Sequence, residues 1–171
     1  MIGERPIVVA VIGAASATAS QEALAEEVGR RLAEAGAVVV CGGRSGVMEA
    51  VCRGAQRAGG LTVGILPGLD SDEGNRYLGL ALPTGLGHAR NAVVVLASEA
   101  VIAVGGGYGT LSEIGLALKS GKPLVGLSTW KASRESTDVS EIEVVETPEE
   151  AVRRCLEAAK ERRQMKRQHG D

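Results

Sequence analysis

Gly105-Gly106-Gly107-Tyr108-Gly109-Thr110 follows the apolar run Val101-Ile102-Ala103-Val104 and precedes a stretch with helical spacing. That order predicts an abrupt strand-to-helix turn. Glycine takes positive φ at little cost and lets a ligand come close to the backbone. The unpaired N–H groups and the positive end of the next helix attract an anion, and Thr110 adds a hydroxyl donor. The chemistry this predicts is phosphate binding. Three residues on, Glu113 has two readings. With Thr110 it makes a capping-box pattern; alternatively its carboxylate, in the first helical turn, lies beside the sugar of a bound ligand.

Three other segments add candidates. Gly13-Ala14-Ala15-Ser16 follows the first apolar run, and Gly13, Ala14 and Ser16 are expected to meet the ligand. Gly42-Gly43-Arg44-Ser45-Gly46 follows the second. There Arg44 suits a bidentate phosphate clamp, or is simply an exposed arginine at a turn, and Met48 belongs to the core. Gly85-Leu86-Gly87-His88-Ala89-Arg90-Asn91 opens a further helix, with Arg90 at the mouth of the apolar stretch 92–97. His88 reads as structural or exposed more readily than as a site residue.

The same segments exclude other chemistries. A dinucleotide-binding dehydrogenase needs G-x-G-x-x-G after the first strand and an acid after the second. Here those places hold Gly13-Ala14-Ala15-Ser16-Ala17-Thr18 and Cys41-Gly42-Gly43. A Walker A loop needs a lysine, and the chain has none before Lys119. That absence also removes a pyridoxal-phosphate Schiff base from these loops. Three cysteines without CxxC spacing and two histidines make neither a zinc site nor a disulfide framework.

Strands and helices alternate to position these loops. Strands are predicted at 7–12, 37–41, 61–66, 80–82, 100–104, 124–127 and, at an edge, 142–145. Helices are predicted at 20–35, 46–58, 87–98, 110–120 and 148–168. Thr18 and Gln21 fit a capping box, and Thr147 caps the last helix ahead of Pro148. Residues 67–79 and 128–141 read as long polar loops; Asn75, Arg76 and Tyr77 in the first are candidates for a lid. This alternation implies an α/β, three-layer, doubly wound fold with a mainly parallel sheet of about seven strands. Ligands of such sheets bind beyond the carboxyl ends of the strands.

The 171 residues suit one domain spanning 1–171. Aromatics make up 2% and Phe is absent, so Val, Leu, Ile and Ala must build the core. A net charge of −2 gives no electrostatic case for nucleic acid or an acidic membrane. The basic end of the last helix (Lys160 to Arg167) reads as solvated. The run at 7–12 reads as a first strand rather than a secretory leader, and no run reaches membrane-spanning length. A reducing cytoplasm is the expected compartment. Apolar helix faces at Val93 to Leu96 and at Leu111, Leu116 and Leu118 predict self-association.

Gly42 through Ala50, His88-Ala89-Arg90-Asn91 and Gly105 through Glu113, in this order, resemble the LOG ("lonely guy") family of cytokinin-activating proteins over about residues 7–127. The resemblance implies a Rossmann-like fold, a homodimer or homotetramer, and hydrolysis of a nucleoside 5′-monophosphate to free base and ribose 5-phosphate. It implies catalytic roles for Glu113 and Arg90; beside them, ligand contacts are expected along Gly105–Thr110, at Gly42, Gly43, Arg44 and Ser45, and at Asn91. It calls for no metal and no required cofactor. Asn91 stands where the family has lysine, and Gly105 where it has proline. In this the chain looks closer to a bacterial branch that is also similar to molybdenum-cofactor carrier proteins, which bind a phosphorylated pterin without cleaving it. A bound nucleotide or molybdopterin-type ligand is the alternative expectation. Some relatives carry a "lysine decarboxylase" label, for which these residues offer no chemistry.

Overall fold

The computed structural model describes residues 5–131 and 142–169, with the side chain of His169 excepted. The strands are β1 (Val8–Gly13), β2 (Val38–Cys41), β3 (Thr62–Leu66), β4 (Leu80–Pro83), β5 (Ala100–Val104), β6 (Leu124–Leu127) and β7 (Glu143–Val145). The helices are α1 (Ala19–Glu34), α2 (Val47–Arg57), α3 (Arg90–Leu96), α4 (Tyr108–Lys119) and α5 (Pro148–His169). All seven strands lie in one sheet, ordered β4-β3-β2-β1-β5-β6-β7. Every pairing is parallel, so the mainly parallel sheet expected from the sequence is wholly so.

β1 and β5 are buried throughout their middles, as β-branched and small residues in a doubly covered parallel sheet must be. One core cluster packs β-sheet residues against α1, α2 and α5 (Val28, Leu32, Val51, Cys155). A second packs the opposite face against α3 and α4 (Val94, Val95, Ile114, Ala117). The strand order reverses between β1 and β5. The turns leaving their carboxyl ends therefore diverge and open a crevice between them.

The cap predicted at the start of α1 is present: the Thr18 side chain accepts from Gln21 N–H, and Gln21 Oε1 accepts from Thr18 N–H. Thr147 Oγ1 accepts from Glu150 N–H at 3.2 Å at the start of α5. Three boundaries differ from the expectation. The helix predicted at 87–98 is a 3-10 turn, Gly87–Ala89, followed by the short α3, because Gly87 at φ +55° lies outside the helical region. The 67–79 loop carries a 3-10 turn at Ser71–Glu73. And α4 begins at Tyr108 on an extended Gly107, not at Thr110. Most of the second long loop, 132–141, lies outside the described residues.

Candidate functional site

The crevice is a cleft of about 560 Å³ lined by the turns after β1, β2 and β5 and by the entry to α3. The Gly105–Thr110 turn takes its shape from its first two residues. Gly105 and Gly106 have φ of +56° and +120°, and a Cβ on Gly106 would overlap the Thr110 side chain. The chain thus reverses within two residues and starts α4 with Gly107, Gly109 and Thr110 on the cleft wall. Thr110 sits in the first turn of α4, not at its cap, so Thr110 and Glu113 form no capping box. Glu113 lies one turn further in than the sequence suggested. The capping reading of Glu113 is thereby removed.

Three polar groups on the cleft wall are buried and incompletely satisfied. Thr110 is 2% exposed and its Oγ1 has no hydrogen-bond partner among the described residues; Arg90 is 9% exposed and its Nε likewise has none. Glu113 is 6% exposed, with Oε1 4.0 Å from Arg90 Nη1, beyond hydrogen-bond reach. Burial pushes the Glu113 carboxyl up to about 7, with the Arg90 charge only partly opposing it. Burial also holds the Arg90 guanidinium below its usual range, against the pull of Glu113. Leaving such groups underpaired costs roughly 1–3 kcal/mol each. That is the local conflict expected where a site awaits a ligand.

Gly42 explains how Arg90 is held. Its backbone lies against the guanidinium, and a Cβ there would overlap the Nη atoms. The loops after β1 and β2 are fastened across each other, Val47 N–H donating to Ala14 O at 3.1 Å and Ser45 Oγ–H to Ala15 O at 2.9 Å. Ser45 therefore ties one loop to the other, though it also lines the cleft. Arg44 stands at the rim, half-exposed, 3.9 Å from Glu73. Asn91 reaches Ser112 Oγ at 3.5 Å, bridging α3 to α4.

Of the residues singled out from the sequence, Gly13, Ala14, Gly42, Arg44, Ser45, Arg90, Asn91, Gly107, Gly109, Thr110 and Glu113 come together on this one cleft. The rest do not line it. Gly43 packs behind it near Leu66 and Gly64, Ser16 points to solvent with Ala15 in its place on the wall, and Gly105, Gly106 and Tyr108 occupy the far flank of the glycine turn. Asn75 is no lid residue. Its side chain donates to the carbonyls of Gly43 (3.2 Å) and Arg44 (3.1 Å), which pins the segment behind the second loop. His88 does line the cleft, at its exposed mouth beside Gly87; its place two residues before Arg90 was the available signal. Met48, expected as core, is both buried and on the wall. Among the described residues no group of His, Cys, Asp and Glu is arranged to hold a metal ion.

The profile of the SLOG cluster4 family matches residues 6–152. The chain belongs to the SLOG cluster4 family. Its cleft residues all fall inside the matched span. An uncharacterized protein of Archaeoglobus fulgidus is 42% identical over 151 residues, covering 88% of this chain and 95% of the archaeal one. The molybdenum cofactor binding protein of the phototrophic bacterium Rippkaea orientalis superposes on this SLOG cluster4 chain with a TM-score of 0.79 at 37% identity, covering 92% of this chain and 97% of that one. A probable cytokinin riboside 5′-monophosphate phosphoribohydrolase of Oryza sativa subsp. japonica is 38% identical over 99 residues, 56% of this chain but only 40% of the rice protein. The resemblance to LOG proteins and to molybdenum-cofactor carriers read from the motifs is thus shown, and the Rossmann-like fold with it.

Proposed function

We propose that the cleft binds a phosphorylated, nucleotide-like ligand, a nucleoside 5′-monophosphate or a phosphorylated pterin. The phosphate rests on the N–H groups of Gly107–Thr110, and Arg90 supplies the balancing charge. The observation that carries this reading is a cleft at the positive end of α4 whose wall includes Thr110 and Arg90, residues left underpaired by the fold, with Thr110 Oγ1 and Arg90 Nε buried just behind its surface. The Rippkaea relative supports it, since a cofactor-binding protein matches nearly the full length of this chain. A pterin phosphate fits the donor set: an anion for Arg90 and the turn, with the apolar wall of Ile12 and Met48 beneath its ring. Incubation with a panel of nucleoside 5′-monophosphates, monitored by calorimetry, tests it. Saturable binding of at least one is expected, and no binding by any monophosphate or pterin phosphate overturns it.

A second reading is favoured by Glu113. A carboxyl pushed up to about 7 is half-ionised near neutrality and is suited to proton transfer at a sugar. In N-glycosidic hydrolysis the bond from the base nitrogen to C1′ breaks, positive charge builds on the ribose ring, and water adds to C1′ while a proton passes to the base. Glu113 would stabilise that charge and receive the water proton, and Arg90 would hold Glu113 in place. The partial match to the rice phosphoribohydrolase supports this, as does the placement of Arg90 and Glu113 together. Release of ribose 5-phosphate is the readout. A ligand retained intact through purification favours the carrier reading instead.

The same proposal includes a homodimer. α3 turns Val94 and Val95 inward but leaves Val93, Leu96 and the preceding Leu86 exposed, next to the site. Sedimentation of the wild type against a Leu96→Glu variant tests it, with dissociation expected for the variant.

A further inference from the structure

The chain has one Trp and two Tyr and no Phe. Two of these three aromatics stand together, and not in the core. Tyr108 and Trp130 lie on the far flank of the glycine turn with ring centroids 6.0 Å apart and planes tilted by 38°. Tyr108 is 85% exposed, at the first position of α4, between two glycines that line the cleft. Trp130 is half-buried against the α3–α4 core cluster, so one ring anchors the pair and the other is presented to solvent. Beside them is a shallow depression of about 260 Å³ formed by Gln21, Gly105, Gly106, Ser128, Thr129 and Trp130. Its floor is built with care. Thr129 Oγ1 donates to Gly105 O, and Ser128 is the one non-glycine residue among those described with positive φ, at +52°. The depression also presents a donor. Gln21 gives its Oε1 to the α1 cap and lays its Nε2 against Gly105, while Trp130 Nε1 is turned away from solvent, so the tryptophan offers the depression its ring and not its N–H.

One anion-binding turn is therefore flanked by open space on both sides, the cleft within and an aromatic-walled depression outside. A nucleoside monophosphate occupies only one side, because its phosphate is terminal. We infer that the protein accommodates a ligand bridged through its phosphate, a dinucleotide-type phosphodiester or pyrophosphate, with one ring in the cleft and the second ring stacked on Tyr108. An exposed ring offers a π-face to any base, and the Gln21 amide on the lining of the depression meets a ring carbonyl or nitrogen acceptor. This rests on the phosphate reading of the Gly107–Thr110 turn and adds the class of ligand to it.

Trp130 is the sole tryptophan and reports on its own subsite. The test titrates the full chain with AMP and with the pyrophosphate-bridged diadenosine compound, following calorimetry and Trp130 emission, in wild type and Tyr108→Ala. In the wild type the bridged compound is expected to bind on the order of tenfold more tightly than AMP, the increment of one stacked base, and to change Trp130 emission. Tyr108→Ala keeps the backbone N–H of the turn and removes only the ring, so the ratio of the two affinities should fall from about tenfold to about one. Tyr108 is outside the core, so its truncation leaves the melting temperature in place, which is checked alongside. Equal affinities in the wild type, unchanged Trp130 emission, or an equal loss for both compounds in the variant overturns the second-ring subsite alone. Binding of neither compound overturns the phosphate reading and this inference with it.

Discussion

Strand β5 joins two arginine–glutamate pairs with opposite characters. At its amino end, Arg163 grips Glu99 through two side-chain contacts and donates to the carbonyls of Arg5 (2.8 Å) and Pro6 (2.7 Å), while Glu99 also accepts from Val8 N–H at 3.3 Å. Burial would raise the Glu99 carboxyl, but the hydrogen bonds from Arg163 and Val8 prevail and hold it below its ordinary value. At the carboxyl end, Arg90 and Glu113 stand 4.0 Å apart, more deeply buried, with one guanidinium nitrogen orphaned and the carboxyl pushed up to about 7. The first pair has every incentive to stay as it is. The second is left with an unmet demand for partners. Two pairs of the same residue types thus differ because one closes the fold, tying α5 to the sheet, and the other lines the open cleft.

Four experiments break or sharpen this contrast. Glu113→Gln should lower release of ribose 5-phosphate by about 10²–10⁴-fold, the usual worth of a positioned acid–base group, with phosphate-ligand affinity nearly kept. Glu99→Gln should leave both unchanged. If Glu113→Gln retains full turnover, Glu113 is not part of the chemistry.

The second concerns pH. Glu113 has a raised folded-state value, so its favourable contribution is complete below about pH 4.5 and is lost as pH rises through about 7. The loss should be about 3 kcal/mol relative to Glu113→Gln. Glu99 is lowered, so its contribution is present above the ordinary carboxylate range and disappears as pH falls. Thermal melts of the two Gln variants across pH 2.5–9 should therefore diverge from wild type in opposite directions, Glu99→Gln at the acid end and Glu113→Gln between about 4.5 and 7; parallel curves would contradict the contrast.

Third, Arg163→Met should destabilise the fold by about 2 kcal/mol, since it strands a half-buried carboxylate, yet leave ligand affinity intact. Arg90→Met should weaken phosphate-ligand binding by roughly tenfold and cost the fold little, because the Glu113 carboxyl, already pushed up to about 7, takes up a proton once its partner is gone. The smallest effect is expected for Gly42→Ala. Its Cβ must displace the Arg90 guanidinium, so affinity should fall several-fold with little change in stability.

Much of this was legible in the chain. Apolar runs broken by glycine gave the strand and helix order, and the loops after 13, 42 and 105 are found on one sheet edge because parallel strands leave no other choice. The Thr18–Gln21 cap was readable because capping is local. What was not readable depends on three-dimensional neighbours. Thr110 and Glu113 spell a capping box, yet the turn of Gly105–Gly106 starts α4 two residues early, at Tyr108, and carries both side chains into the cleft wall. Gly42 gives no hint in sequence that it clears space for Arg90, forty-eight positions later. The polar segment at Asn75 looks like a lid until its amide is seen holding the carbonyls of Gly43 and Arg44. Ser16 and Ala15 differ by one residue, and the curl of the turn decides which of them lines the cleft.

The central claim is that the open pair at the carboxyl end of β5, with the amides of Gly107–Thr110, is an anion site. Amide chemical-shift mapping of the ¹⁵N-labelled protein with AMP and with adenosine tests it most directly. The account predicts saturable shifts at Gly107, Gly109, Thr110 and the Arg90 Nε resonance with AMP, and at least about tenfold weaker binding of adenosine. Shifts confined to other regions, or equal affinity for the nucleoside without its phosphate, would contradict it.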